Sequence, residues 1–309
     1  MDNPAARPRR YVTADVFTDH RFHGNPVAVV LDGSGLPAGQ MQLVAREFNY
    51  TESTFVLPPE DPAHSARVRI FTPVREAPFA GHPTLGTAFI LAREAALRGA
   101  APVRRLTLEE EAGLVPVDLL WEGGVLVGAE LTSPEPFSRR GQVSAERAAA
   151  CLQLGPEDIR TDGHLPQVVS VGLPFLVVEL ASRDAMRRAR PDKAAYGRVF
   201  PLDGAHSIYT YTQDRDADDG DCDLVSRMFT SFMTEDPATG SGTAALAALR
   251  ADIQGAAEMS LRVRQGVDMG RPSTLLTKVV REAGKAPVVK LGGRCITVME
   301  GILPLPDGN

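Results

Sequence analysis

Short apolar runs separated by turn residues dominate the chain, and they predict strands. Tyr11 to Phe17 is the first, and Val27 to Leu31 follows the turn Gly24-Asn25-Pro26. Thr54 to Leu57 is stopped by Pro58-Pro59, and Arg67 to Phe71 alternates. Further strands are expected at Arg105 to Leu108, Val115 to Leu120, Val125 to Leu131, Val168 to Val171 and Phe175 to Leu180. Ile208 to Thr212, Leu224 to Phe229, Ser260 to Arg264, Leu275 to Val280, Val288 to Leu291 and Ile296 to Met299 complete the set. Helical spacing is rarer. Met41, Leu43, Val44 and Phe48 form a stripe between Pro37 and Asn49, Ser144 caps a helix to Leu152, and Asp184 to Arg190 is another. Two longer helices, His82 to Leu97 and Gly240 to Ala251, each follow a glycine-rich segment. The second is apolar nearly all round from Thr243 to Leu249, a pattern that belongs inside a protein. Each half is therefore expected to be a strongly curved sheet around a central helix.

The two halves repeat. Arg69-Ile70-Phe71-Thr72 precedes Phe79-Ala80-Gly81-His82-Pro83-Thr84-Leu85-Gly86-Thr87-Ala88, and Arg227-Met228-Phe229-Thr230 precedes Asp236-Pro237-Ala238-Thr239-Gly240-Ser241-Gly242-Thr243. Gly24-Asn25-Pro26 and Gly172-Leu173-Pro174 each lead into an apolar strand further upstream. Landmarks recurring in one order mark a repeated fold unit. Ser133-Pro134-Glu135-Pro136 suits a crossing between domains, because proline is excluded from helix interiors and central strands. This gives domains of 1–132 and 133–294, with a strand in 295–309 returning to the first. Two helix N-termini, each with unpaired N–H groups and a positive dipole end, are then expected to face one cleft and hold an anion.

Length supports two cores: 309 residues exceed what one small core needs. A composition of 43% hydrophobic and 23% charged residues is that of an ordinary globular protein. The net charge of −6 gives no reason to expect a nucleic-acid partner, and Arg183, Arg187 and Arg190 fit a solvated helix face. No apolar run approaches the roughly 20 residues that span a bilayer, so no membrane partner is expected. Met1 to Arg10 is polar and reads as a loose tail, not a signal peptide. Cys151, Cys222 and Cys295 are far apart, odd in number and without metal spacing, which suits a reducing, cytoplasmic setting. The acidic run Asp214 to Asp223 fails the calcium-loop pattern, since its sixth and twelfth positions are Asp219 and Val225; a solvated loop is expected.

Three titratable residues stand at places where chemistry is possible. His82 opens a helix beside Gly81, where it could cap the helix or act on a ligand held by the N–H groups. Asp236 precedes the second glycine-rich segment, where capping is again the alternative. Thr239 and Ser241 offer hydroxyls beside Gly240, but no lysine completes a phosphate loop. Glu52 leads into an apolar strand. It could form a capping box with Asn49, or serve as a general acid–base group half-buried against Phe55 and Tyr50.

Together, the Glu52 segment Asn49 to Val56, the two glycine-rich segments and Gln265-Gly266-Val267-Asp268-Met269-Gly270-Arg271-Pro272-Ser273 resemble the PhzF-like isomerases of phenazine biosynthesis. Asp15-Val16-Phe17 and Gly24 to Val29 agree, so the resemblance spans roughly Tyr11 to Glu300. It implies an α+β, diaminopimelate-epimerase-like fold: two pseudo-symmetric domains, each a barrel-like, mostly antiparallel sheet around a central helix. It also implies a homodimer, no cofactor and no metal. Carried over by position, the resemblance makes Glu52 the proton shuttle and His82 and Asp236 its catalytic partners. Gly81, Gly240 and Ser241, with Thr239 beside them, would bind a small carboxylate-bearing substrate. The chemistry implied is a proton shift between carbons, as in trans-2,3-dihydro-3-hydroxyanthranilate isomerisation. Related epimerases place a cysteine at each helix start. Gly81-His82 and Thr239-Gly240 stand there instead, which disfavours two-thiol racemisation. A non-thiol amino-acid epimerase and a non-catalytic metabolite-binding protein are the alternatives.

Overall fold

The computed structural model describes residues 7–281 and 285–304. Residues 1–6 of the expected N-terminal tail, and 305–309 of the returning segment, lie outside them. The chain divides into two compact units, one reaching Leu131 and resuming at Gly292, the other Thr132–Leu291.

The first unit contains β1 (Arg9–Val16), β2 (Asn25–Val30), α1 (Ala38–Phe48), β3 (Glu52–Leu57), β4 (Ala66–Phe71) and β5 (Glu76–Ala77). It continues through α2 (Gly81–Leu97), β6 (Arg105–Glu110), β7 (Gly113–Glu122) and β8 (Val125–Thr132). Arg9 and Arg10 pair with Leu303 and Ile302, so they belong to a strand and not to a tail. β1 pairs antiparallel with β2, β2 parallel with β3, β3 antiparallel with β4, β4 parallel with β6, and β6 antiparallel with β7. α2 packs on β1, β2, β3 and β7. Leu85 and Ile90 on this helix are fully buried, each contributing about 1.5–3 kcal/mol. Close packing explains Gly86, where a Cβ would meet Val27 Cγ1 at 2.5 Å and Val16 Cγ2 at 2.9 Å.

The second unit contains β9 (Ser138–Gln142), α3 (Ala145–Cys151), β10 (Gln167–Ser170), β11 (Pro174–Glu179), α4 (Arg183–Arg188) and α5 (Lys193–Val199). β12 (Ile208–Thr212), β13 (Leu224–Phe229), β14 (Glu235–Asp236), α6 (Gly240–Gln254), β15 (Glu258–Gln265) and β16 (Ser273–Val280) follow. β17 (Val288–Leu303) starts here and continues into the first unit. The pairing scheme repeats: β10–β11 antiparallel, β11–β12 parallel, β12–β13 antiparallel, β13–β15 parallel, β15–β16 antiparallel. α6 packs on β10, β11, β15 and β16. Each unit is thus a curved sheet around one apolar helix, as the periodicity predicts, in the α+β architecture that the resemblance implies.

Local differences from the sequence reading have physical causes. β5, β9 and β14 are too short or too polar to show alternation. Val288 to Leu291 and Ile296 to Met299 are one strand, which runs through Gly292, where a Cβ would lie 2.7 Å from the Ala129 carbonyl. Leu43 is exposed, so the α1 stripe runs through Met41, Val44 and Ala45. Arg183 is not on a solvated face. It is 2% exposed and binds Asp219 and Asp268, and Asp219, expected in a solvated loop, is fully buried.

Candidate active site

In the first unit the register of two parallel strands creates the site. Val27 lies opposite Glu52, which sets the preceding Pro26 carbonyl beside the start of β3. Asn49 is the left-handed C-terminal cap of α1, and Glu52 opens a strand, so the two do not form a capping box. Ala80 is the N-cap of α2 and makes no side-chain cap bond. His82 caps nothing either. Its Nε2 lies 3.3 Å from the Pro26 carbonyl oxygen, and its Nδ1 lies 3.5 Å from Glu52 Oε2. A carbonyl only accepts, so Nε2 carries the proton and donates it. Burial pushes the imidazole pKa down to about 3, the Pro26 bond opposing, so the ring is neutral at pH 7 and Nδ1 presents a lone pair to Glu52. A protonated Glu52 can donate to that lone pair, and an ionised one cannot. The pair therefore has one place for one mobile proton. Glu52 is one-fifth exposed while His82 is buried, so the carboxyl is the member that solvent or a ligand can reach.

Gly81 shares this helix start. A Cβ there would meet nothing within 4 Å and its φ is ordinary, so neither packing nor backbone geometry calls for glycine. Open space beside unpaired N–H groups is what an approaching anion requires.

The second unit holds the other predicted residues. Asp236 pairs with Met228 in the short β14 strand, and Thr239 is the N-cap of α6 without a side-chain cap bond to the helix. Thr239 donates its hydroxyl to Asp236 Oδ2 at 2.7 Å and accepts from Gln265 Nε2 at 3.0 Å, so this hydroxyl is committed within the protein. Gln265 also accepts from the Thr239 backbone N–H at 3.0 Å and donates to the Asp236 carbonyl at 2.8 Å. Ser273 donates to the Pro237 carbonyl at 3.1 Å. Gly266 has φ +75, and a Cβ there would lie 2.6 Å from that same carbonyl oxygen. The Gln265 to Ser273 segment is therefore the brace of the second helix start, a role the sequence reading did not assign. Gly240 is buried and Ser241 half-buried in the first turn of α6. Beneath them Tyr209 donates to Ser226 at 2.9 Å and lies 2.6 Å from the Thr243 hydroxyl.

Structure thus brings together Glu52 with His82, and Asp236 with Thr239. Nothing recruits the thiols: all three are buried, and burial raises Cys151 to about 11 and Cys295 to about 12, far from thiolates at neutral pH. Among the described residues, no group of three or more His, Cys, Asp or Glu could hold a metal ion, and no helix is long and apolar enough to cross a membrane.

Comparison with known proteins gives a consistent result. A family model described as phenazine biosynthesis-like protein, PhzC-PhzF, matches residues 14–301. An uncharacterized isomerase of Mesorhizobium japonicum is 37% identical, covering 96% of this chain and 98% of its own. The trans-2,3-dihydro-3-hydroxyanthranilate isomerase of Pseudomonas fluorescens is 35% identical, covering 96% and 99%. The crystal structure of a Bacillus anthracis phenazine biosynthesis protein of the PhzF family superposes with a TM-score of 0.84 at 25% identity, covering 96% and 99%.

Proposed function

The chain belongs to the phenazine biosynthesis-like PhzC-PhzF family and is an isomerase, and we propose that it moves a proton between carbons of a small carboxylate-bearing metabolite. The observation that carries this reading is the Glu52–His82 pair, a reachable carboxyl 3.5 Å from a neutral imidazole nitrogen. Ionised Glu52 takes a proton from carbon, and the electron pair left behind spreads into a conjugated system. The carboxylic acid so formed is held by His82 Nδ1 and then returns its proton to a second carbon, a 1,3-type shift that regenerates the carboxylate. No electrons are gained or lost, so the step needs no redox cofactor. Asp236 serves the polar hydrogens of the substrate, while the buried His82 acts through Glu52. The Ser241 hydroxyl and the N–H groups beginning at Gly81 and Gly240 take its carboxylate. Thr239 contributes by holding Asp236. Carboxylate affinity in Gly81→Val and Gly240→Val variants tests each helix start. Three free, buried thiols fit a cytoplasmic setting, and a homodimer is part of the proposal, which sedimentation would check.

The substrate class is tested with trans-2,3-dihydro-3-hydroxyanthranilate, the compound named for the Pseudomonas fluorescens relative. Product with a displaced double bond supports the proposal. Recovery of the same connectivity with one centre inverted would make the protein an epimerase. No conversion of this compound, with conversion of another conjugated carboxylate, would keep the chemistry and change the substrate.

A further inference from the structure

Glu110 ends β6, belongs to neither pair described above, and is 8% exposed. Its Oε1 accepts the Thr84 hydroxyl at 2.6 Å, in the second turn of α2. Its Oε2 is buried with no hydrogen-bond partner among the described residues. An ionised carboxylate left in that state is costly.

The repeat shows what this position is built for. Ala66 and Arg67 lie opposite Leu108 and Glu109, as Leu224 and Val225 lie opposite Val263 and Arg264. One step further, Glu110 corresponds to Gln265. The Gln265 amide both accepts, from the Thr239 N–H, and donates, to the Asp236 carbonyl and the Thr239 hydroxyl. Among titratable side chains, a carboxylic acid reproduces that combination of acceptor and donor, and a carboxylate does not. Ala77 lies opposite Ile70 as Asp236 lies opposite Met228, so the Ala77 carbonyl is the acceptor that the repeat offers.

We propose that Glu110 is held as a neutral carboxylic acid and positions the start of α2 through Thr84, as Gln265 positions the start of α6. The electrostatics agree. Burial pushes the Glu110 pKa up to about 8, opposed only by the Thr84 bond. Glu110 lines a cavity of about 870 Å³, together with several charged side chains. Most of these are paired off: Arg69 with Glu76, His64 with Glu109 and Arg67 with Glu60. Glu111 is exposed and lies near Arg69, β7 presents uncharged Gly113 and Leu114, and α2 presents Thr84. The Thr84 hydroxyl, with one hydrogen to give, also lies 2.7 Å from the Ala80 carbonyl oxygen, so a shift of Thr84 is felt one residue from Gly81.

The test compares wild type with Glu110→Gln, the amide found at the repeat position, and with Glu110→Met, apolar and similar in length. Infrared spectra of the whole protein with carbon-13-labelled glutamate at pH 6.5 should show a protonated-carboxyl stretch that disappears in either variant. Because the native pKa of about 8 exceeds the unfolded value of about 4.5, the unfolded chain loses this proton first. Wild-type stability therefore falls as pH rises between those values and levels off above pH 8. Relative to Glu110→Gln, the wild-type folding constant should drop more than about tenfold from pH 5 to pH 8. Glu110→Gln should keep the wild-type melting temperature at pH 6.5, and Glu110→Met should lower it. A spectrum without a Glu110 acid band, or identical pH profiles for wild type and Glu110→Gln, overturns the proposal. If Glu110→Gln fails to fold, the band difference between wild type and Glu110→Met decides. None of these readouts uses enzymatic activity, so they stand or fall independently of the role given to Glu52.

Discussion

Gly81 is followed by His82 in the first unit, and Gly240 by Ser241 in the second. Around these two helix starts the frames are nearly the same. Arg69 grips Glu76 through two nitrogens and lies over Phe71 at 5.2 Å; Arg227 grips Glu235 in the same way and lies over Phe229 at 4.7 Å. Thr84 and Thr243 each bond the carbonyl four residues back, at 2.7 and 2.9 Å. The titratable groups differ. Ser53 and Ile208 pair with Phe71 and Phe229, so Glu52 corresponds to Ser207, and Asp236 corresponds to Ala77. A frame that folds with serine or alanine at these places does not need Glu52, His82 or Asp236 for its own stability.

The largest expected structural effect separates the two arginines. Arg227 is 6% exposed, and it also donates to the Met186 carbonyl at 2.6 Å. Arg69 is 24% exposed. Arg227→Met, stranding the half-buried Glu235 and emptying a buried guanidinium site, should cost about 3–5 kcal/mol in urea unfolding, whereas Arg69→Met should cost about 1 kcal/mol or less. Equal losses would mean that the two frames are not differently buried.

The glycines sharpen the comparison further. Gly86→Ala would push a methyl into Val27, and Gly242→Ala would bring one within 2.4 Å of the Tyr209 ring. Each should lose about 1–3 kcal/mol. Gly81→Ala should lose no stability but weaken carboxylate binding, because its Cβ enters open space. A destabilised Gly81→Ala protein would make Gly81 a packing residue.

A smaller effect concerns pH. His82 stays neutral in the fold down to about pH 3, while an unfolded histidine protonates near 6.5. The unfolded state therefore binds the extra proton between these values, and wild-type stability falls as pH drops through that window. His82→Asn should lack this share, about tenfold or more in folding constant by pH 4.5, measured against wild type at pH 7.5. Parallel profiles would show that the imidazole is not buried as described.

Much of this arrangement was legible in the sequence. The repeat, both central helices and the strand ends at Ile208 to Thr212 and Leu224 to Phe229 follow from apolar spacing, which is a local signal. The meeting of Glu52 with His82 was hidden, because it depends on the parallel register of β2 with β3, a long-range property. Arg183 shows the same limit. Its helical spacing with Arg187 and Arg190 suggested water, while its partners, Asp219 and Asp268, are 36 and 85 residues away. The bracing role of Gln265 needed the pairing of β13 with β15. For Glu110 the signal was present in the repeat, in register with Gln265, but only the strand pairings give that register.

The central claim is that proton transfer rests on Glu52, in the unit whose frame does not need it. Wild type and Glu52→Gln, both checked for unchanged melting and ligand binding, should be compared for conversion of trans-2,3-dihydro-3-hydroxyanthranilate in heavy water by mass spectrometry. The account predicts conversion by wild type and a loss of about 10²–10⁴-fold in Glu52→Gln. A Glu52→Gln protein that turns over within about threefold of wild type, when a general base of this kind is worth so much more, would contradict it.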